Sequence, residues 1–123
     1  MKMDSVFDAL KSVLARQAKT LNVKTDTRSA YTLVTKSPSP FPQHKGQPMW
    51  FGEVRRGKAY VSYHLMPLYM NDPLVATISP ALHKRMQGKT CFNFKSVPEP
   101  EQIAELDRLT RAAVKDWRGK KWL

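Results

Sequence analysis

The sequence Met49-Trp-Phe-Gly-Glu-Val-Arg-Arg-Gly-Lys-Ala-Tyr-Val-Ser-Tyr-His-Leu-Met66 contains two runs of aromatic and β-branched residues around the group Arg55-Arg-Gly-Lys58. Runs of this kind are typical of β-strands. Gly57 lies between them, and glycine readily adopts the positive φ of many hairpin turns. Residues 49–54 and 59–66 are therefore predicted to form a β-hairpin.

The length of the turn decides which side chains of this hairpin share a face. A loop that pairs Val54 with Ala59 places Trp50 opposite Tyr63. The face that contains these residues is apolar and is the predicted core face, with Trp50, Gly52, Val54, Ala59, Val61 and Tyr63. The opposite face mixes aromatic and polar groups, which suits binding better than a dry core, with Phe51, Glu53, Tyr60, Ser62, His64 and Met66.

Apolar residues recur at helical spacing on both flanks of the hairpin. The stripe from Val6 to Leu14 predicts a helix from residue 4 to about residue 18. A second stripe, from Ile103 to Trp117, predicts a helix from about residue 100 to residue 118, with Gly119 just beyond its end. The hairpin is thus expected between an N-terminal and a C-terminal helix.

Shorter elements fill the remaining sequence. Residues 21–23 and 30–35 are predicted strands, and residues 37–48 are a predicted loop because four prolines interrupt them. Ser79 followed by Pro80 predicts the start of a short helix over residues 80–87, which Gly88 ends. Residues 90–95 alternate and are a further predicted strand. This order of elements, in 123 residues, predicts one α+β domain over residues 1–123.

The charge of the chain favours anionic partners. Twenty-one Lys and Arg against ten Asp and Glu give a net charge of +11, which attracts phosphates, acidic proteins and nucleic acids. Residues 73–98 contain no acidic residue and include four basic ones: Lys84, Arg85, Lys89 and Lys95. We therefore expect a local basic surface.

Cysteine usage and hydropathy give an expectation about the compartment. Cys91 is the only cysteine, so an intrachain disulfide is impossible and a reducing compartment is expected. Asp8 and Lys11 interrupt the N-terminal apolar residues, and no run is long enough to cross a membrane. The sequence therefore predicts a cytoplasmic protein that does not enter the membrane.

The sequence Arg56-Gly-Lys-Ala-Tyr-Val-Ser-Tyr63 comes close to an RNA-recognition motif. The third position of that motif is an aromatic residue on which a base stacks, and here it is Lys58. Tyr60 alone could take the stacking role. A turn glycine followed by alternating residues produces the same sequence in an ordinary hairpin, and this interpretation is favoured.

The three histidines and Cys91 lie in separate segments, without the spacing of a metal site. Cys91 and His64 could form a thiolate–imidazole pair for nucleophilic chemistry if neighbouring strands bring them to one face. A single cysteine in a strand is more often a small buried hydrophobe. No metal and no cofactor is predicted.

Two segments carry a resemblance to a known family: Tyr60-Val-Ser-Tyr-His-Leu-Met-Pro-Leu-Tyr69 and Ile78-Ser-Pro-Ala-Leu-His-Lys-Arg-Met-Gln-Gly-Lys-Thr-Cys-Phe-Asn-Phe-Lys95. They resemble the bacterial YdhG-like domains of unknown function. The resemblance implies a frataxin-like, two-layer α+β fold, in which an antiparallel sheet packs against the N- and C-terminal helices and a short helix precedes the last strand. Frataxin-like proteins handle iron through an acidic ridge, whereas the first helix here offers only Asp4 and Asp8 among basic residues.

These observations predict a binding module rather than an enzyme. The mixed face of the sheet and a basic rim would hold an anionic small molecule or an acidic partner, with nucleic-acid binding through the same face and iron handling by analogy as alternatives. The predicted ligand-binding residues are Phe51, Tyr60, His64 and Met66 on the face and Arg56, Lys58, Lys89 and Lys95 on the rim.

Overall fold

A computed structural model describes residues 2–123. The helices are α1 (Lys2–Ala15), α2 (Asp72–Val75), α3 (Pro80–His83) and α4 (Pro100–Gly119). The strands are β1 (Asn22–Asp26), β2 (Ala30–Pro38), β3 (Pro48–Arg56), β4 (Val61–Leu65), β5 (Met86–Gln87) and β6 (Cys91–Phe94). Three short 3-10 helices lie in the connections, at Ala18–Thr20, Pro42–His44 and Met66–Met70.

The six strands form one antiparallel sheet in the order β1-β2-β3-β4-β6-β5. Helices α1 and α4 pack together against one face of this sheet. Leu14 of α1 reaches Gly52 of β3, and Trp117 of α4 packs edge-on against Phe51, with ring centroids 5.6 Å apart. The predicted two-layer α+β fold, with its short helix before the last strand, is confirmed.

The hairpin of β3 and β4 is confirmed, but its register differs from the prediction. Val54 lies opposite Tyr63, and Arg56 lies opposite Val61. In the predicted register Val54 pairs with Ala59, so the observed partner of each β3 residue lies four positions later in the chain. Since side chains alternate with a period of two, an even displacement leaves the two faces of the hairpin unchanged.

Gly57 has a role in the turn other than the predicted one. Its φ is not among the positive values, which in the described chain belong to Lys45, Gly46, Gly88 and Lys121. Its N–H donates to the Tyr60 carbonyl at 2.9 Å, and a Cβ atom at this position would lie 3.0 Å from that oxygen. The turn therefore requires glycine for close backbone approach.

A β-bulge in β3 overturns the predicted faces of two residues. Leu33 of β2 pairs with Gly52, but its neighbour Val34 pairs with Trp50, so Phe51 is an extra residue without a partner in β2. A bulge of this kind turns the following side chains to the other face. Phe51 is consequently fully buried and Trp50 is 42% exposed, so the placement of Trp50 in the core and of Phe51 on the binding face is wrong.

A buried hydrogen bond joins the two layers. The Tyr63 hydroxyl lies 2.6 Å from Thr110 Oγ1, which itself donates to the Leu106 carbonyl of α4 at 2.7 Å. Burial raises the pKa of Tyr63 well above its ordinary value, so the phenol stays a neutral donor. The bond satisfies two polar groups inside an apolar core.

The predicted starts of α3 and α4 are accurate, but other helix bounds differ from the prediction. Helix α1 already includes Lys2 and ends at Ala15 rather than near residue 18, and α4 includes Gly119. Ser79 caps α3 by accepting from the Leu82 N–H at 3.2 Å, as its sequence predicts. The helix stops at His83 instead of continuing to residue 87, because Met86–Gln87 pairs with β6. Gly88, with φ of +74°, lies in the turn between these strands rather than at a helix end.

Candidate functional site

The face of the sheet opposite α1 and α4, here called the open face, carries a row of polar side chains. Cross-strand pairing places Thr32 beside Glu53, Glu53 beside His64, His64 beside Cys91, and Cys91 beside Gln87. The row crosses β2, β3, β4, β6 and β5. We call these five residues the polar row.

Glu53 is the buried carboxylate of the polar row. It is only 4% exposed, yet it accepts three hydrogen bonds, from Thr32 Oγ1 at 2.7 Å and from Arg55 Nε and Nη2 at 3.0 and 3.3 Å. These donors offset the loss of water around the charge. The Arg55 side chain remains 57% exposed, so its other N–H groups can reach a ligand.

His64 and Cys91 form a contact at the centre of the row. His64 Nε2 lies 3.6 Å from Cys91 Sγ, so neighbouring strands do bring these two residues to one face. Burial raises the pKa of Cys91, although a hydrogen bond with Ser62 opposes this shift. Burial also lowers the pKa of His64, although the Glu53 carboxylate opposes it. Both shifts favour a neutral thiol beside a neutral imidazole, and a nucleophile requires thiolate.

A chain of hydrogen bonds leads from the centre of the row to the edge of the sheet. Asn93 Oδ1 accepts from Ser62 Oγ at 2.9 Å and from Cys91 Sγ at 3.3 Å. Asn93 Nδ2 then donates to Gln87 Oε1 at 2.8 Å. Because the Oε1 atom of Gln87 accepts this hydrogen bond, the NH2 group of the exposed Gln87 side chain is left to donate to a ligand.

The predicted ligand-binding residues of the sheet fall into three environments. His64 lies on the open face as predicted, partly exposed between Glu53 and Cys91. Tyr60 is 36% exposed but lies in the β3–β4 turn, just before β4, and Met66 is 38% exposed at the start of the Met66–Met70 turn. Phe51 faces α4 and cannot contact a ligand on the open face.

The predicted basic rim does not form one patch. Arg56 points to the helix layer, where it makes an ion pair with Asp4 of α1. Lys89 approaches Asp72 at 3.8 Å. Lys58 is exposed in the β3–β4 turn and Lys95 is exposed just after β6, at the same end of the sheet. Only these last two residues flank the open face at one end.

Two groups of residues with a clear place in the site were missed as ligand candidates. Asn93 and Gln87 belong to the polar network, and Asn93 could have been found because it alternates with Cys91 in the predicted strand 90–95. Trp50 is exposed because of the bulge, which no local pattern in the sequence announces.

A cleft of about 530 Å³ lies beside the open face, beneath the proline-rich segment. It is bounded by the start of β3, the Met66–Met70 turn and the end of α4. Exposed apolar side chains surround it, among them Trp50, Met66, Tyr69 and Met70. We call it the aromatic cleft.

A second cleft, of about 710 Å³, lies on the helix side between α1, the β1–β2 turn and the end of β3. Two of the three carboxylates that line it are engaged by cations: Asp26 accepts from Lys11 Nζ at 2.8 Å, and Asp4 pairs with Arg56. Among residues 2–123, no group of three or more His, Cys, Asp or Glu side chains is placed to hold a metal ion.

Comparisons with known proteins give no relative. No family model matches the chain, and no curated protein and no solved structure matches it at a significant level. The resemblance to YdhG-like and frataxin-like domains therefore stays a prediction. Within the part of the chain that the structure describes, no helix has the length and apolar character needed to span a membrane.

Proposed function

We propose that this chain is a non-enzymatic binding module that holds an anionic small molecule on its open face. The polar row carries the proposal. Together with Arg55, which lies beside it and donates to Glu53, the row brings donors of Arg55, His64 and Gln87 to one surface. Hydrogen bonds to Glu53 and Asn93 fix the orientation of Arg55 and Gln87. Preorganised donors lose little conformational freedom when a ligand binds.

Charge favours an anion at this position. The only carboxylate in the polar row is Glu53, which is buried and already accepts from Thr32 and Arg55. Lys58 and Lys95 lie at one end of the face, and the whole chain carries a charge of +11. Such a field raises the local concentration of anions and strengthens charge-assisted hydrogen bonds to them.

The same electrostatics argue against a thiol enzyme. Cys91 is 8% exposed and its pKa is raised by burial, so little thiolate exists at neutral pH. His64, whose pKa is lowered, is a weak partner for stabilising that thiolate. The pair is better suited to fill and orient the face than to attack a substrate.

A thermal-shift screen tests the proposal. Phosphate, pyrophosphate, citrate, nucleoside triphosphates and a poly-glutamate peptide would be compared, since the peptide stands for an acidic protein partner. An anion at about 100 times its Kd stabilises the folded state by about 2.7 kcal/mol. We expect a small anion to give such a shift, whereas a response to the peptide alone would indicate an acidic protein as the partner.

Two double variants that each remove two positive charges, one beside the open face and one far from it, test where the anion binds. The pair Lys58→Gln/Lys95→Gln removes two exposed charges beside the open face, and Lys115→Gln/Arg118→Gln removes two exposed charges from α4. The first pair, combined with His64→Gln, should weaken the selected anion about tenfold, which corresponds to about 1.4 kcal/mol. Equal weakening by the α4 pair would show that only net charge matters, and the proposal would fail.

Nucleic-acid binding is the second candidate, favoured by the exposure of Trp50 and Tyr60 towards the two ends of β3. Aromatic side chains of this kind can stack on bases of a single strand. Affinity for an oligonucleotide should then fall steeply between low and physiological salt, because phosphate contacts release counterions. Binding that is weak and insensitive to salt would remove this candidate.

A further inference from the structure

The aromatic cleft is separate from the polar row and has the dimensions of a small-molecule site. Its volume of about 530 Å³ lies inside the range of roughly 300–1,000 Å³ that is typical of ligand pockets. Segments distant in sequence form its walls: the proline-rich segment, the start of β3, the Met66–Met70 turn and the end of α4. A function for it would go beyond anion binding on the open face.

The walls of the cleft suit a flat apolar ring. Aromatic side chains line it, including Phe41, Trp50, Tyr69 and Trp117. Met66 and Met70 also line it, and their flexible thioethers adapt to the outline of a ligand and contact aromatic rings favourably. Trp50 and Tyr69 are 42% and 64% exposed, so a ring stacked on them would remove apolar surface from water.

Aromatic contacts hold the wall of the cleft in place. The Phe41 ring meets Trp122 edge-on at 5.4 Å, and Trp122 meets Trp117 at 5.6 Å. Ser39 Oγ lies 2.6 Å from His44 Nδ1, which closes the segment on itself. The proline-rich segment is thereby tied to the end of α4.

An unsatisfied donor in the wall indicates what the ligand must carry. Trp117 is 2% exposed, and its Nε1–H has no acceptor among the residues that the structure describes. A buried N–H group without an acceptor is unfavourable and uncommon in folded proteins. Trp117 lines the cleft, so an acceptor on a ligand that shifts the side chains covering Nε1 would satisfy it.

The charge around the cleft selects an anionic acceptor over a cation. The lining residues within positions 2–123 include no carboxylate, and Lys24 Nζ lies 5.5 Å from the centre of the Trp50 ring. A positive field disfavours the quaternary ammonium groups that other aromatic cages bind. We propose that the aromatic cleft binds a flat aromatic carboxylate, with the ring between Trp50 and Tyr69 and the carboxylate accepting from Trp117 Nε1.

The test uses the full chain with ¹⁵N-labelled tryptophan and 2-naphthoate as the probe. The chain has three tryptophans, so the indole N–H signals of Trp50, Trp117 and Trp122 can be assigned from Trp50→Phe and Trp122→Phe variants. We expect saturable binding in which the Trp117 signal moves downfield as its hydrogen bond forms. Trp50→Ala and Tyr69→Ala should each weaken binding about tenfold, and Tyr60→Ala, an exposed aromatic outside the cleft, should not change it.

Two comparison probes make the outcome decisive. Cyclohexanecarboxylate keeps the charge without a flat aromatic ring, and 2-naphthyltrimethylammonium keeps the ring with the opposite charge. Weaker binding of both supports the proposal. Tighter binding of the cation, an unchanged Trp117 signal at saturation, or no saturable binding of 2-naphthoate would each overturn it, and none of these results depends on the open face.

Discussion

Trp50 and Phe51 are neighbours in β3 with opposite environments. Phe51 is fully buried and packs edge-on against Trp117, whereas Trp50 is 42% exposed with Lys24 above its ring. The bulge causes the difference, because it adds one residue to β3 opposite β2 and brings both Phe51 and Gly52 towards the helices. The same bulge brings Trp50 to the aromatic cleft.

Alanine substitutions at these two positions should therefore have unequal effects. Phe51→Ala removes a buried ring and should lower the free energy of unfolding by about 3–5 kcal/mol. Trp50→Ala should lower it by about 1 kcal/mol or less, since a partly exposed side chain contributes little to the core. Urea denaturation of both variants measures the difference. A larger loss for Trp50→Ala would mean that β3 has no bulge.

The Cys91 thiol should react slowly. It is 8% exposed and its pKa is raised by burial, so we expect iodoacetamide to alkylate it more slowly than a small-molecule thiol at neutral pH. The same chain in concentrated urea, where burial is lost, is the matched control and should react at the ordinary rate. Faster alkylation of the folded chain would restore the case for nucleophilic chemistry.

The two central residues of the polar row also predict how stability depends on pH. The folded pKa of His64 is below its ordinary value of 6.5, so the unfolded chain binds the proton more readily and stability falls as pH drops below 6.5. The folded pKa of Cys91 is above its ordinary value of 9.0, so stability falls as pH rises beyond 9.0. Denaturant melts over a range of pH test both residues. His64→Gln should lose less stability than the unchanged chain below pH 6.5, and Cys91→Ser should lose less above pH 9.0. Unchanged pH profiles of stability would contradict the burial of this pair.

At the scale of elements, close approach between α1 and β3 depends on Gly52. A Cβ atom at this position would lie 3.0 Å from the His64 carbonyl oxygen and 3.0 Å from Leu14 Cδ1. The first contact involves backbone of β4, which cannot move without disturbing the hairpin. Glycine here allows the helix layer to pack directly on the middle of the sheet.

Gly52→Ala should accordingly destabilise the fold by about 1–3 kcal/mol, the range of an overpacked core. Gly119→Ala is the control, because nothing lies within 4 Å of a Cβ atom there and the residue ends α4. Alanine at that helical position should be neutral or stabilise by up to about 1 kcal/mol. Thermal melts compare the two variants, and a neutral Gly52→Ala would show that α1 lies farther from β3.

Elements governed by local pattern could be predicted from the sequence, and those governed by a distant partner could not. Helices α1 and α4 follow from apolar stripes, and the start of α3 follows from Ser79 and Pro80. The end of α3 depends on the pairing of Met86–Gln87 with β6, and the bulge at Phe51 depends on β2. Neither partner is visible in the local sequence.

In the molecule as a whole, the two faces of the sheet have different surroundings. Both long helices pack against one face of the sheet, and the other face carries a polar network at its centre and apolar residues around the cleft at one end. The sequence predicted a mixed face that includes His64, Glu53 and Ser62, because alternation fixes their side of β3 and β4. It could not predict how Asn93 and Gln87 join them, since that requires the order of strands β4, β6 and β5.

The most direct measurement of the central claim is an NMR titration of histidine side chains with the anion that the thermal screen selects. The chain has three histidines; His83 on the exposed surface of α3 is the internal control, and His44, which lines the aromatic cleft, reports binding there instead. We expect the ring signals of His64 to shift and to saturate over the anion concentrations that stabilise the protein in the thermal screen, while those of His83 and His44 stay in place. Saturation of the protein without any change at His64 would contradict the assignment of the open face as the binding site.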